Sequence, residues 1–266
     1  TERLAQNIIK PEFKMLHMWK ELLCNKRLEY AREVKTKPWT LNDINNILKK
    51  LKNNKSRDPM NLINELFKPN VAGENFIDGL LLLFYEVKRQ QKIPEVFQLA
   101  NISSFYKGKG AKDDMNNERG VFRVTIFRYI LDRLIYNQEY TKIDENLSDS
   151  NVGARKGKNI RDHVFVIEAV VNDVINGKAP PTDLHIMDIK KCFDKMDFKE
   201  TMNDLYDNGM KNDHWSTLIE TSKNTKISIK TPSGMTERKD KTELITQGGK
   251  WGPLQCSSQI DGLGKE

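Results

Sequence analysis

Apolar side chains recur at helical spacing along most of the first half of the chain. The clearest case is the segment TLNDINNILKKLKNN, whose single apolar stripe consists of Leu41, Ile44, Ile47, Leu48 and Leu51. This period is typical of a helix that buries one face. Thr40, followed three residues later by Asp43, indicates a capping box at the start of that helix. The segment therefore predicts a helix with a defined first turn.

The same spacing predicts helices over residues 1 to about 35, about 74–89, 125–140, 198–208 and 213–223. The first of these has its expected apolar positions at Leu4, Ile8, Phe13, Leu16, Trp19 and Leu23. Another helix is expected to begin after a cap at Asn159 and to end at Asn176-Gly177. Its apolar positions are Val164, Phe165, Ile167, Val170, Val171 and Val174.

Three segments alternate between apolar and polar residues and predict strands. LANISSFYKGKGAKDDMNNERGVFRVT reads as a strand, a Gly/Lys loop and a returning strand. KISIKTPSGMTER predicts a hairpin around its Pro-Ser-Gly turn. Leu184 to Ile189 predicts a buried strand with Leu184, Ile186 and Asp188 on one face. The chain is thus expected to be α+β and rich in helix, with a first half that is mostly helical.

Composition narrows the classes of protein to which the chain can belong. The 266 residues include 38% apolar and 30% charged side chains, which is typical of a globular domain. The net charge of +7 permits an anionic partner such as nucleic acid. Three cysteines without CxxC spacing predict neither a disulfide framework nor a zinc site, and favour a reducing intracellular setting. No apolar run reaches the length of a membrane span, and the first residue is Thr1, so we expect a piece of something longer.

The segment LHIMDIKKCFDKMD carries the first candidate for chemistry. A carboxylate at the end of a buried strand, here Asp188, can bind Mg²⁺, which takes few protein carboxylates and completes its shell with water and phosphate oxygens. The alternative is that Asp188 only ends a strand and caps the next turn. The spacing alone favours this alternative. Phosphoryl transfer by a two-metal mechanism would need at least one further acid from elsewhere.

The ordered set of blocks changes this interpretation. DIKKCFDK resembles motif A of reverse transcriptases, and NKSRDPMNLINELFK resembles the N-terminal block of non-LTR retrotransposon reverse transcriptases. IPEVFQLANISSFYKGKG and NERGVFRVTIFRYILDRLI resemble their two fingers blocks. LSDSNVGARKGKNIRDHVFVI resembles the block before the palm, and ITQGGKWGPLQCSSQID takes the place of motif B. The resemblance covers nearly all of the chain from about residue 38, and its specificity lies in the order of the blocks.

The resemblance implies a right-hand polymerase fold with helix-rich fingers and the first part of an antiparallel palm sheet. The implied domains are an N-terminal helical extension over residues 1–40, fingers over 41–180 and a partial palm over 181–266. The implied function is RNA-directed DNA polymerisation in target-primed reverse transcription. Its partners would be template RNA, primer or target DNA, deoxynucleotides and the remainder of the polymerase (the rest of the palm and the thumb), with no membrane. Its setting would be intracellular, in the nucleus at insertion or in a cytoplasmic ribonucleoprotein.

The resemblance also assigns site residues. Asp188 and the main-chain carbonyl of Ile189 would hold metal, with two Mg²⁺ ions in the complete enzyme. Phe193 would exclude a 2′-hydroxyl by its volume, so the preferred substrate would be a deoxynucleotide; packing in the core is the alternative role. Asp194 is expected only to shape the turn.

Further positions would contact the incoming nucleotide. Lys107 and Arg119 match basic fingers positions, and a point charge and a planar fork both suit triphosphate oxygens. Gln247 and Gly248 match the Gln-Gly of motif B. The chain departs from the family at Gly120, where a proline is usual, and at WGPLQCS, where the family has Leu-Ser-Pro.

The basic cluster in GARKGKNIRDH predicts contact with the backbone of a template or primer. It consists of Arg155, Lys156, Lys158 and Arg161. Such contacts release counterions and carry no sequence information. Solvation of a loop and a helix end is an equally weighted alternative. Asp149 and His163 are expected to be structural.

The aromatic-x-Asp-Asp hairpin that would complete the metal site has no match after Asp188, and Asp113-Asp114 precedes motif A. One carboxylate cannot build a two-metal site, so we expect this chain to be inactive alone. The alternative function is a non-catalytic nucleic-acid-binding or interaction module derived from a reverse transcriptase. A generic helical adaptor with coincidental matches is disfavoured by the ordered set of blocks.

Overall fold

The computed structural model describes residues 11–111, 113–114, 117–189, 192–240 and 249–262. Its longer helices are α1 (Pro11–Glu33), α2 (Leu41–Lys49), α4 (Glu74–Gln90), α5 (Ile126–Asn146), α6 (Ile160–Ile175), α8 (Phe198–Asp207), α9 (Asp213–Ser222) and α10 (Trp251–Gly262). The short helices are α3 (Pro69–Ala72) and α7 (Cys192–Lys195), with 3-10 turns at Asn64–Phe67 and Glu95–Gln98. The chain is therefore helix-rich, as its periodicity predicts.

The described strands form one mixed sheet. They are β1 (Leu99–Tyr106), β2 (Glu118–Val124), β3 (Lys226–Thr231), β4 (Gly234–Met235) and β5 (Lys239–Asp240). β1 pairs antiparallel with β2 and parallel with β3, and β3 pairs antiparallel with β4 and β5. The predicted strand and return over 99–124 and the predicted hairpin after residue 226 are both confirmed. Because β1 pairs with β3, the sheet joins the predicted fingers to the predicted palm.

Helix α2 shows how local sequence sets local structure. The Thr40 hydroxyl accepts from the backbone N–H of Asp43 at 3.2 Å, and the Asp43 carboxylate accepts from the backbone N–H of Thr40 at 2.8 Å. This confirms the predicted capping box. Ile44, Ile47 and Leu48 are buried as predicted, and Leu41 at the helix start is exposed.

An aromatic chain links the main helices in the core. Phe127 of α5 contacts Phe67 edge-to-face at 5.4 Å and stacks on Phe97 at 5.6 Å, and Phe97 meets Phe84 of α4 at 6.0 Å. Such pairs contribute about 0.5–1.5 kcal/mol each beyond their buried area. Trp215 of α9 is fully buried and donates its indole N–H to the carbonyl of Met202 at 2.6 Å. These contacts place α4, α5, α8 and α9 around one core.

A buried polar network joins α5 to α9. The Glu139 carboxylate is fully buried, and its Oε1 lies 2.7 Å from Nδ1 of His214 and accepts from Asn212 at 3.1 Å. The other ring nitrogen of His214, Nε2, lies 3.0 Å from Oγ1 of Thr36. Thr36 in turn donates to the Asp213 carboxylate at 2.6 Å. Buried polar groups of this kind stabilise a fold only when all of them have partners.

Two cationic groups complete the network. Lys88 of α4 donates to the Thr36 hydroxyl at 2.9 Å, and its ammonium lies 4.4 Å from the centre of the Trp39 ring. That ring stacks on His214 at 5.3 Å. Lys142 of α5 pairs with the second oxygen of Glu139 at 3.2 Å. The segment that connects α1 to α2 thereby contacts α4 and α9 directly and is linked to α5 through His214.

Several expectations about apolar faces are wrong. Leu184 to Ile189 forms no strand, and Leu184, Ile186, Met187 and Ile189 are all exposed, Ile186 to 86%. In α1 the exposed positions include Trp19 and Leu23, whereas Cys24, Leu28 and Ala31 are buried. Of the other predicted apolar positions, Leu4 and Ile8 lie outside the described part of the chain, and so do the side chains of Phe13 and Leu16.

Helix α6 begins and ends as predicted, with Asn159 as its cap, but its apolar face has no cover among the described residues. The exposed apolar side chains are Ile160, Val164, Phe165, Val166, Ile167, Val170, Val171 and Ile175. The α+β class is confirmed, whereas the described sheet is mixed and does not include the expected palm strand at Leu184.

The His214 network predicts that acid weakens the fold. Burial holds the pKa of His214 below its ordinary value, although the hydrogen bond to Glu139 opposes this. The unfolded chain takes up a proton near pH 6.5 and the folded chain does not, so stability is lost as pH falls below about 6.5. We expect a falling melting temperature between pH 7.5 and 5.5, and a shallower fall in His214→Gln, which also melts lower at pH 7.5. Exposed His185→Gln is the matched control. If the melting temperature of His214→Gln fell with pH as steeply as that of the unmodified chain, His214 would not be the group whose protonation weakens the fold.

Candidate nucleic-acid interface

One face of the β1–β2 hairpin combines cations with an exposed ring. Phe105 is directly opposite Arg119, and the backbone N–H of Lys107 donates to the carbonyl of Asn117 at 2.7 Å, so the pairing continues past the end of β1. Alternation along the strands puts Phe105, Lys107 and Arg119 on the same face. Phe105 is 56% exposed. An aromatic ring between two cations suits a nucleotide base and its phosphates.

A basic cleft of about 580 Å³ lies beside this hairpin, between β2, α5 and the turn that follows α2. Its cationic lining residues are Lys50, Lys52, Lys55, Arg123, Arg133 and Lys250, and its acidic ones are Asp58 and Asp132. Arg119 and Arg123 point to the same side of β2 because they are four residues apart in one strand. The cleft and the hairpin face therefore share a strand.

Both acidic side chains of the cleft accept hydrogen bonds from other groups of the protein. Asp58 is buried; its Oδ2 accepts from the N–H of Ile126 at 3.0 Å, and its Oδ1 accepts from Met60 and Leu62 at 2.8 Å. Asp132 accepts from Nε of Arg128 at 2.8 Å. Asp132 is paired with Arg128, and Asp58 keeps its charge because its partners are backbone N–H groups. The six cationic side chains of the cleft still outnumber its two acids, which leaves an excess of positive charge for a ligand.

The surroundings of the cleft destabilise the charged form of two of its cationic side chains. Burial lowers the pKa of Arg123, with the charge of Asp58 opposing it, and burial together with nearby Arg133 lowers the pKa of Lys250. Among the described residues, Nε of Arg133 is a buried donor that lacks a hydrogen-bond partner. An anion in the cleft would relieve each of these costs.

Aromatic contacts hold the cleft wall in place. Trp251 donates its indole N–H to the carbonyl of Asp132 at 3.2 Å and meets Tyr136 at 5.3 Å. The ammonium of Lys250 lies 5.4 Å from the Tyr136 ring centre, and Arg133 lies 5.0 Å from that of Tyr129. Gly249 and Lys250 thus bring the segment after Gln247 and Gly248 to the cleft. Gln247 and Gly248 themselves lie outside the described residues.

Arg155 has a structural role, which corrects the prediction of a phosphate contact. Its side chain is 4% exposed, and Nε donates to the Asp144 carboxylate at 2.8 Å. Its Nη atoms donate to the carbonyls of Ser148, Asn151 and Asp144 at 2.6, 2.9 and 2.7 Å. These four hydrogen bonds fold the loop that follows α5 around a buried guanidinium.

The other cations of this loop lie at the surface. Lys156 is exposed, and only its backbone N–H is drawn inward, to the Tyr140 hydroxyl at 2.6 Å. Lys158 pairs with Asp149 at 2.9 Å, which lowers the pKa of that exposed carboxyl. Arg161 is exposed in the first turn of α6. These three residues stay candidates for backbone contacts.

The predicted catalytic residues lie on a separate segment. Asp188 and Ile189 are exposed in a stretch without regular structure, and Phe193 is half-buried in α7. Within the part of the chain that the structure describes, no group of three or more His, Cys, Asp or Glu side chains is arranged to hold a metal ion. The described residues therefore do not complete a magnesium site.

The sequence prediction missed the cleft because its cations come from four distant segments. Arg123, Arg133 and Lys250 each stand alone in the sequence and meet only through the packing of β2, α5 and α10. One local signal was present, since the run KKLKNNKSR from Lys49 to Arg57 is strongly basic. A basic run after a capped helix indicates a candidate anion surface.

Comparison with known proteins found no matching family model and no matching curated protein. In the described part of the chain, the helices are too short or too polar to cross a lipid bilayer.

The buried position of Arg155 predicts a loss of stability on truncation. Arg155→Ala removes one donor from the Asp144 carboxylate and one from each of the carbonyls of Asp144, Ser148 and Asn151, at a cost of about 3 kcal/mol in the free energy of unfolding. Lys156→Ala, the neighbouring exposed cation, should change that free energy by less than about 0.5 kcal/mol. Urea denaturation of both variants measures this. Equal effects in the two variants would show that the hydrogen bonds of Arg155 do not stabilise the loop.

Proposed function

We propose that this chain is the fingers and first palm part of an RNA-directed DNA polymerase of the non-LTR retrotransposon class. The observation that supports it most is the basic cleft, with six cations and two internally satisfied acids, placed beside the hairpin face of Phe105, Lys107 and Arg119. The ordered sequence blocks supply the reaction class. The cleft supplies a surface on which an RNA template or an RNA/DNA hybrid would lie.

The chemistry of the cleft favours a polyanionic strand over a small acid. Its lysines extend along an open surface from Lys50 to Lys55, whereas a small anion would need convergent donors. Each phosphate that pairs with a lysine releases condensed counterions, which gives binding without sequence preference. Phe105, exposed on the neighbouring β1–β2 hairpin, adds a stacking surface.

In this proposal the polymerase reaction depends on a segment that lies apart from the cleft. Asp188 would supply one magnesium ligand and Ile189 a carbonyl, and Phe193 would pack under the sugar of the incoming deoxynucleotide. Lys107 and Arg119 would hold its triphosphate, and Gln247 and Gly248 would lie against the nascent base pair. The remaining carboxylates, the rest of the palm and the thumb would come from the remainder of the polymerase.

A second candidate is a non-catalytic nucleic-acid-binding module derived from such an enzyme. The observation that favours it is the exposure of Asp188 on an irregular segment, since a metal-binding carboxylate is ordinarily held by surrounding structure. Both candidates use the cleft for binding. They differ in the role of Asp188, which is a catalytic residue in the first candidate and only a solvated surface residue in the second.

The cleft predicts salt-sensitive binding of an RNA/DNA hybrid by the 266-residue chain. Lys55→Ala and Lys250→Ala should each weaken binding and lower the slope of log K against log salt by about 1, because each variant removes one phosphate contact. Lys26→Ala removes an exposed cation on α1 and is the matched control. Fluorescence anisotropy of a labelled hybrid across a salt series measures both quantities. Equal slopes for all three variants would rule out the cleft as the binding surface.

Primer extension separates the two candidates. In a polymerase that contains this chain, Asp188→Ala should abolish extension, with hybrid binding retained. Phe193→Val should increase incorporation of ribonucleotides, because the smaller side chain leaves room for a 2′-hydroxyl. Lys195→Ala, at an exposed position in the same short helix, should change neither property. Extension that survives in Asp188→Ala would favour the non-catalytic module.

A further inference from the structure

Two cysteines that are distant in the sequence lie in contact in the structure. Sγ of Cys192 is 3.2 Å from Sγ of Cys256, although the two residues are 64 positions apart in the sequence. Cys192 begins α7 and Cys256 lies on α10, and both are half-buried free thiols. A disulfide bond is about 2.0 Å long, so the sulfurs need to approach by roughly 1 Å to bond.

The surroundings hold Cys256 in this position. The next residue, Ser257, donates to the carbonyl of Gly153 at 2.5 Å, and Ser258 accepts from Asn208 at 2.7 Å. One residue further on, Gln259 accepts from the hydroxyl of Thr201 at 2.9 Å. Since α10 is fixed to α8 and to the loop before α6, the encounter of the two thiols follows from the packing of the fold.

We propose that Cys192 and Cys256 form a reactive dithiol, a modification site whose oxidant is a small-molecule disulfide such as oxidised glutathione. Formation of the bond does not depend on the proposed polymerase function. Cytosolic disulfides of this kind are reversible, because the glutathione pool also reduces them.

The reaction is two successive thiol–disulfide exchanges. Burial, followed by the hydrogen bond and the charge of Cys192, raises the pKa of Cys256 to about 12, which disfavours Cys256 as the first nucleophile. Cys192 gives up its proton and bonds to one sulfur of the oxidant, whose sulfur–sulfur bond breaks; the small thiolate that leaves takes up a proton in place of the one that Cys192 lost. Cys256 then attacks the Cys192 sulfur and displaces the second small thiol, which takes up its proton. Two protein thiols are oxidised and one small disulfide is reduced to two thiols.

The bond would tie α7 to α10 and close the loop from residue 192 to residue 256. Closing so long a loop removes conformational freedom from the unfolded chain, so the oxidised form should melt at a higher temperature. Phe193 follows Cys192 directly, and its position would be fixed to α10 in the oxidised form.

The test uses the 266-residue chain under native conditions. The protein is treated with oxidised glutathione, its remaining thiols are alkylated, and a tryptic digest is analysed by mass spectrometry. We expect a cross-linked peptide that joins Cys192 to Cys256, alkylation of Cys24 alone, and a rise in melting temperature that dithiothreitol reverses. Cys192→Ser and Cys256→Ser should lose the cross-link, while Cys24→Ser, at the buried cysteine of α1, should keep it.

Alkylation of both cysteines after treatment, or separate glutathione adducts on each of them, would overturn the proposal. The digest of the wild-type chain distinguishes these outcomes from the expected cross-link without any variant, so a variant that fails to fold does not affect the test. Hybrid binding in the same samples is a separate readout, since loss of binding would bear on the cleft and not on the dithiol.

Discussion

The hydrogen bond between Glu139 and His214 is the interaction on which the arrangement of the helices depends. It places an ionisable pair in the core, where each group is costly unless every polar atom has a partner. The partners come from α5, α9 and the segment before α2, so these elements hold one arrangement only. The central helix α5 is thereby fixed at its C-terminal half. At its N-terminus, Asp58 and the Thr125 cap hold the first turn.

Because α5 is fixed at both ends, it serves as the wall of the cleft. Tyr129, Asp132 and Arg133 line it from successive turns of α5, and β2 enters directly before the first turn. The same Asp58 that caps α5 shapes the turn of residues 58–62, so the basic run before that turn lies beside β2. Core packing thus determines the spacing of the surface cations. A change in the buried network would alter the cleft without touching any of its lysines.

Local chemistry explains which parts of the structure the sequence could predict. The cap of α2 and the β1–β2 hairpin depend on residues close in sequence, and both predictions are confirmed. The alternation of Leu184 to Ile189 also fits a strand, but a strand needs a neighbour for its backbone hydrogen bonds, and that segment is irregular and exposed. Arg155 stands in a basic run, and only the tertiary structure shows that loop carbonyls surround it.

Two kinds of surface therefore remain on the molecule, and they suit different partners. The cleft and the hairpin face are basic and suit phosphates. Helix α6 and the segment with Asp188 expose aliphatic side chains, which gain little from a charged nucleic acid and favour contact with protein. In the proposed polymerase, strands of the remaining palm would pair with Leu184 to Ile189 and cover α6. Asp188 would then become the strand-end carboxylate that its sequence context predicts, because pairing would fix the backbone that carries it.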